Sequence, residues 1–209
     1  MIENVKQAIL TGKLKKIEGI VQETLDEGVS AGDILNAMIA TMDDVGDKFQ
    51  RNEIFVPEML VAALTMKKGV AVLKPLLAGG ETQSYGKYII GTVEGDLHDI
   101  GKNLVALMVE SAGFEVIDLG VDVPAAKFVE AIKENPDCKV VGISALLTTT
   151  MQAMKDTVAA IDAAGIHPQV KIMVGGAPIT PEFAAEIGAD AYTPDAGSAA
   201  TKAKELASC

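Results

Sequence analysis

The segment Gly91-Thr92-Val93-Glu94-Gly95-Asp96-Leu97-His98-Asp99-Ile100-Gly101-Lys102-Asn103 gathers groups able to do chemistry. Glu94, Asp96 and Asp99 surround His98, one of only two histidines in 209 residues. An aspartate two residues before a histidine can accept its ring N–H, fix the tautomer and leave the other nitrogen free for a metal. Phosphate is a poor fit: neither GxxxxGK[ST] nor GxGxxG is present, and the three acids would repel it. A bare zinc ion needs three or four ligands. The other histidine, in Gly165-Ile166-His167-Pro168, has no supporting acids nearby and reads as a loop-surface residue. A lone imidazole does suit a metal already held by a macrocycle, as its axial ligand. The same residues also suit a polar strand-to-helix loop with one solvated histidine.

Two textures of chain must position this segment. Residues 1 to about 78 read as helices only. Ile34, Leu35, Met38, Ile39, Met42, Val45 and Phe49 follow a helical period, and Pro57 suits the first turn of the next helix. Met59, Leu60, Ala63, Leu64, Val70, Leu73 and Leu77 mark a broad apolar face there. Two shorter helices are expected near 3–11 and 14–27, with Gly28 and Gly32 marking the boundary that follows. Together these make a four-helix bundle over 1–80. A polar, glycine-rich stretch from Ala78 to Gly86 supplies a linker, placed at 81–86. From 87 to 209, apolar runs at 88–93, 114–119, 139–144, 170–174 and 189–192 alternate with helical segments. That pattern predicts a doubly wound, flavodoxin-like α/β domain with a five-stranded parallel sheet. Such sheets bind ligands beyond the carboxyl ends of their strands.

Composition narrows the function. Lys and Arg number 18 and Asp and Glu 29, a formal charge of −11, so a nucleic-acid partner is not expected. The cluster Lys13, Lys15 and Lys16 reads as a solvated helix face. No apolar run of about 18 residues occurs and no leader is recognisable, so the expectation is a cytoplasmic protein without a membrane span. Cys138 reads as a small buried thiol and Cys209 as a disordered terminus. Met38, Met42, Met59 and Met66 read as core filler, and Asp122, before Val123-Pro124, as a helix start.

Asp96-Leu97-His98-Asp99-Ile100-Gly101 resembles the Asp-x-His-x-x-Gly signature of cobalamin-binding domains. Ser144-Ala145-Leu146, ending the third strand, matches that family's Ser-x-Leu element. Gly175-Gly176, ending the fourth, matches its Gly-Gly element. Val45-Gly46-Asp47-Lys48-Phe49 and Phe55-Val56-Pro57-Glu58-Met59 resemble the helical cap beside this domain in methionine synthase and in corrinoid proteins of methyltransferase systems. The resemblance covers nearly the whole chain.

The resemblance implies that a cobalamin or related corrinoid binds base-off/His-on, with His98 as the lower cobalt ligand. Asp96 would hydrogen-bond His98, and Thr150, where methionine synthase has Ser, would complete the relay. The displaced nucleotide tail would pass Gly101, Gly175 and Gly176, and Gly95, Leu97, Asp99, Ile100, Leu146 and Ala177 would also contact the cofactor. Ser144 and Thr148 would hydrogen-bond it, and Tyr192, Thr193 and Asp195 would stand at the pocket mouth. Phe49 and Val56 match the cap positions over the upper cobalt face, where apolar cover guards cobalt(I) from oxidation. Cobalt(I) prefers no lower ligand and methylated cobalt(III) prefers an axial base, so His98 is expected to bind as a methyl arrives and loosen as it leaves. The expected function is a methyl carrier, inactive alone. A substrate-specific methyltransferase would load it and a second, with a thiol or tetrahydrofolate acceptor, would unload it. A reductive activation protein would rescue oxidised cobalt. The rivals are a mutase small subunit, which lacks the helical cap, a cobalamin-dependent sensor, which adds a DNA-binding or signalling domain not expected here, and a flavodoxin-like nucleotide module.

Overall fold

The computed structural model describes residues 2–77 and 85–208. Most of the expected linker, residues 81–84, and Cys209 lie outside them. The chain divides into two compact units, one of helices and one built on a sheet.

The first unit holds α1 (Ile2–Leu10), α2 (Ile17–Asp26), α3 (Ala31–Gln50) and α4 (Val56–Leu77). Ser30 starts α3 by reciprocal capping: its Oγ accepts from the Asp33 N–H at 3.1 Å and donates to the Asp33 carboxylate at 2.7 Å. Gly32 therefore lies inside the first turn of α3 rather than at a boundary. Lys13, Lys15 and Lys16 are exposed as expected, but in the turn between α1 and α2 rather than on a helix face. The core is aliphatic and methionine-rich, with Ile9, Ile17, Ile34, Met38, Met59, Met66 and Leu73 buried. Gly69 lets α4 sit close to its neighbours: a β-carbon there would lie 2.7 Å from Met38 Cε and 3.0 Å from Ile17 Cγ1. The buried face of α4 is narrower than its periodicity suggests. Leu60 and Leu64 are exposed, together with Phe55 and Val56, because periodicity reports apolar spacing and not what covers it.

The second unit contains β1 (Lys87–Thr92), β2 (Glu115–Asp118), β3 (Cys138–Ser144), β4 (Lys171–Gly175) and β5 (Ala191–Tyr192). They pair in the order β2-β1-β3-β4-β5, all parallel. The helices are α5 (Ile100–Ser111), α6 (Ala125–Glu134), α7 (Met151–Ala163), α8 (Pro181–Glu186) and α9 (Ala196–Ala207). Strand residues alternate between two buried faces. Ile89, Val141, Ile143, Ile172 and Val174 join Phe128, Met154, Val158 and Ala184 in one cluster, while Tyr88, Ile90, Val140 and Met173 are buried outside it. Both faces are thus dry, as a parallel sheet between helix layers requires.

This order reverses between β1 and β3, so the loops after these two strands leave toward opposite faces and open a crevice at the carboxyl edge. Register aligns that edge: Thr92 pairs with Ser144, and Ser144 with Gly175. The last residue or two of three adjacent strands, and the loops that follow, share one rim.

Candidate functional site at the carboxyl edge

The β1–α5 loop is tied down at its root. The Thr92 hydroxyl donates to the His98 carbonyl at 2.9 Å, and the Val93 N–H to the Ser144 carbonyl at 3.0 Å. A tight turn, closed by the Asp96 N–H on the Val93 carbonyl at 3.1 Å, sends the Asp96 side chain down into the crevice. It is fully buried there.

Every contact of that carboxylate is a donor. Oδ1 receives the His98 N–H at 3.1 Å and His98 Nδ1 at 2.7 Å. Oδ2 receives the Leu146 N–H at 2.7 Å, the Leu147 N–H at 3.3 Å and the Thr150 hydroxyl at 2.9 Å. The single Thr150 proton also has the Leu147 carbonyl within 2.9 Å, but the charged oxygen is the stronger acceptor. Burial acts to raise the Asp96 pKa, yet these donors outweigh it and hold the group well below the usual carboxylate range. Asp96 is therefore an anion, and the proton between it and His98 belongs to Nδ1. With Nδ1 engaged by Asp96, Nε2 is the ring nitrogen left for a ligand, and the His98 side chain is half-exposed.

The resemblance-based set is only partly brought together. Asp96, His98, Leu146 and Thr150 form one hydrogen-bonded cluster. Ser144 and Gly175 adjoin it on the rim through their strand pairing. Gly176, at φ +138°, backs onto the next loop, where a β-carbon would meet the Ala145 carbonyl oxygen at 1.8 Å. One on Gly175 would lie 3.1 Å from the Thr193 carbonyl oxygen. Gly176 is thus required by the chain's own backbone, and at Gly175 a side chain would be tight against it. Gly101 differs: nothing lies within 4 Å of the position its β-carbon would take. Gly95, Leu97, Asp99, Ile100, Thr148 and Ala177 are exposed, Tyr192 is half-buried and Thr193 is buried. Asp195 is committed elsewhere, as the cap of α9, accepting from the Ser198 N–H at 2.8 Å. Phe49 ends α3 half-buried, and Val56 opens α4 exposed, both in the helical unit.

Three features were missed by sequence reasoning. Thr92 and Leu147 anchor the cluster; a buried threonine ending a strand was the available signal for the first. The Lys102 ammonium, almost completely buried in the first turn of α5, pairs with both oxygens of Asp118 at 2.6 and 2.5 Å and with Asn103 Oδ1 at 2.7 Å. Asp122 does not start a helix: Pro124 precedes α6, and Asp122 itself sits at φ +53°.

Two readings outside the site have contrasting outcomes. Cys138 is a buried thiol as expected, its pKa pushed up to about 11 by desolvation. His167 is not a bare loop residue. Its Nδ1 meets Asp162 and its Nε2 lies 2.9 Å from Asp190, acids 5 and 23 positions away in sequence. Helix α7 and the β4–β5 pairing bring them together.

The geometry accommodates a corrinoid. Among the described residues no group of three or more His, Cys, Asp and Glu could hold a metal ion, so a metal at His98 would bring its other ligands with it. Leu97 and Ile100 are 72% and 84% exposed, and Leu146 and Leu147 are also exposed. An apolar rim beside a presented imidazole matches a large, partly apolar macrocycle.

This fold and this loop define a class: a parallel α/β domain presenting one carboxylate-oriented imidazole at its switch point, preceded by a helical unit. The family described as "B12 binding domain" matches residues 86–203, and a second family of the same description matches residues 1–74. The chain belongs to the B12-binding family. "Dimethylamine corrinoid protein 2" of Methanosarcina acetivorans is 43% identical over 208 residues, covering 99% of this chain and 95% of that one. "Trimethylamine corrinoid protein" of Methanosarcina barkeri is 42% identical over 207 residues, covering 98% and 95%. Among solved structures, the methanol:cobalamin methyltransferase complex MtaBC from Methanosarcina barkeri superposes with a TM-score of 0.87 at 27% identity, covering 99% of this chain and 79% of that one. Among the described residues no helix is long and apolar enough to cross a membrane.

Proposed function

We propose that this chain is a corrinoid methyl carrier, loaded by a methyltransferase that acts on methylated amines and unloaded by a second methyltransferase with a thiol or tetrahydrofolate acceptor. The observation that carries this reading is the 2.7 Å contact of His98 Nδ1 with a buried, anionic Asp96. The names of relatives at 42–43% identity favour methylated amines as donors.

His98 would hold the cobalt of a bound corrinoid through Nε2, in the base-off/His-on mode. The bound corrinoid supplies a cobalt centre that takes up and gives up a methyl group. The chain's own residues set how firmly the imidazole holds. Asp96 would keep a proton on Nδ1 and so strengthen Nε2 as a ligand. Thr150 holds Asp96 in place by donating to Oδ2. Gly101 leaves space for the displaced nucleotide tail, which Ser144 and Thr148 hydrogen-bond. A reductive activation protein restores oxidised protein.

The test is to mix apoprotein with hydroxocobalamin and record the visible spectrum, then repeat with His98→Ala. A spectral change in the wild type that is altered in His98→Ala supports the reading. No change in the wild type removes the corrinoid, and an identical change in both removes His98 as the ligand. Methylation of the bound corrinoid from dimethylamine by an added amine methyltransferase then tests the donor.

A further inference from the structure

The loop after β2 grips the His98 loop, and among the described residues Asp122 is the one whose side chain hydrogen-bonds across. Gly120 and Val123 act through the backbone: the Thr92 N–H donates to the Gly120 carbonyl at 3.0 Å and the Val123 N–H to the Thr92 carbonyl at 3.0 Å. Val93 and Val123 form an isolated parallel bridge. Beyond it Asp122 makes a reciprocal clasp. Its N–H donates to the Asp96 carbonyl at 2.9 Å, and its Oδ1 accepts from the Gly95 N–H at 2.7 Å. To do so it adopts φ +53°, a left-handed conformation rare outside Gly, Asn and Asp. A strained residue whose carboxylate is spent on one backbone N–H, in the turn that aims Asp96, needs a reason.

We infer that Asp122 is a positioning residue for His98. By closing the turn Gly95-Asp96 it holds the Asp96 carboxylate at the depth where His98 Nδ1 meets it. The buried Lys102–Asp118 pair secures the other flank of the same loop, so the imidazole is braced on both sides by the chain around β2. Asp122 bonds the Gly95-Asp96 backbone rather than the His98 ring, and its effect on corrinoid binding holds only if His98 is the cobalt ligand proposed above.

Two substitutions separate this role from loop stability. Asp122→Gly keeps the left-handed backbone without strain and removes the acceptor. Asp122→Asn keeps both, because asparagine tolerates this conformation and its amide oxygen can accept from Gly95. Each is compared with wild type by thermal melting, by the nitrogen-15 shifts of the His98 ring in apoprotein, and by affinity for hydroxocobalamin. In wild type the shifts report a single tautomer with the proton on Nδ1. In folded Asp122→Gly they report a mixture, and affinity falls on the order of 10-fold, as loss of an outer partner does at metal sites. Asp122→Asn matches wild type in both. Wild-type shifts and affinity in Asp122→Gly, or an Asp122→Asn protein impaired like Asp122→Gly, overturn the role. If melting shows that Asp122→Gly does not fold, Asp122→Asn decides alone: a wild-type ring signature supports the role and an altered one overturns it. A wild-type protein with no His98-dependent corrinoid spectrum sinks the proposed function instead, and the apoprotein shifts still judge Asp122.

Discussion

Leu146 donates its backbone N–H to Asp96 Oδ2 at 2.7 Å, joining two loops 50 positions apart in sequence. That bond lies where the strand order reverses, so the crevice that admits a ligand is also where the histidine-orienting anion is locked. Positioning and binding are thereby coupled: a change that loosens the Ser144–Leu147 loop also frees Asp96.

Asp96→Asn tests the anion. An amide can turn its oxygen to His98 or to Leu146 and Thr150, but its NH2 then faces donors on the other side. We expect a loss of about 2 kcal/mol, the cost of buried donors left without an acceptor, measured by urea unfolding. The native pKa of Asp96 is depressed, so its contribution is complete above the unfolded value of about 3.9 and is lost as pH falls through the native value. The carboxylate's part of the gap between wild type and Asp96→Asn should therefore persist from neutral pH down to about 4 and close only in stronger acid.

Thr150→Ser keeps the hydroxyl on Asp96, whereas Thr150→Val removes it while nearly conserving volume. Thr150→Ser should retain the wild-type corrinoid spectrum. Thr150→Val should lose about 2 kcal/mol of stability, the usual scale for a bond to a charged group, and should hold His98 less firmly on cobalt. Equal spectra for the two variants would remove Thr150 from the relay.

Gly176→Ala would drive a β-carbon to 1.8 Å from the Ala145 carbonyl oxygen at a φ of +138°. Backbone must move in the loops after both β3 and β4, so a loss of about 3 kcal/mol or more is expected. Gly101→Ala meets nothing within 4 Å and should melt close to wild type while weakening corrinoid binding. Thermal melts paired with hydroxocobalamin titrations distinguish a glycine the fold needs from one the ligand needs.

Much of this was legible in the sequence. Lys139–Ser144 and Tyr88–Val93 are mostly apolar runs because their strands are buried on both faces, and β3 and β1 fall within one residue of them. The Asp96–His98 contact could be read because a two-residue spacing lets the side chains meet within one loop. What could not be read depends on distant register. Asp190 reaches His167 only because β5 lies along β4, where the Ile172 N–H also donates to the Asp190 carboxylate at 2.8 Å. Asp122 reaches Gly95 only because β2 lies along β1. In a local reading Asp122 was a helix start and Asp190 lay within the run 189–192, with nothing to point either acid at its partner.

His167 gives a stability signature opposite in sign to that of Asp96. Both its ring nitrogens face carboxylates, Asp162 and Asp190, with Lys171 also on Asp190 at 3.0 Å. Only the imidazolium can donate to both. Burial acts to lower the pKa, but the bonds to Asp190 and Asp162 leave it raised. The stabilisation is therefore complete below the unfolded value of about 6.5 and is lost as pH rises through the native value. His167→Gln should cost about 1 kcal/mol at pH below about 6, after allowing for solvent screening, and less in alkaline buffer. A cost independent of pH in thermal melts would contradict the ion pair.

The most direct measurement is electron paramagnetic resonance of the protein loaded with cobalt(II) corrinoid, prepared with ordinary histidine and with nitrogen-15 histidine. If His98 Nε2 is the axial ligand, the splitting from the axial nitrogen changes from a triplet to a doublet on labelling, and disappears in His98→Ala. A triplet that persists with labelled histidine would put the corrinoid's own base beneath the metal and contradict the central claim.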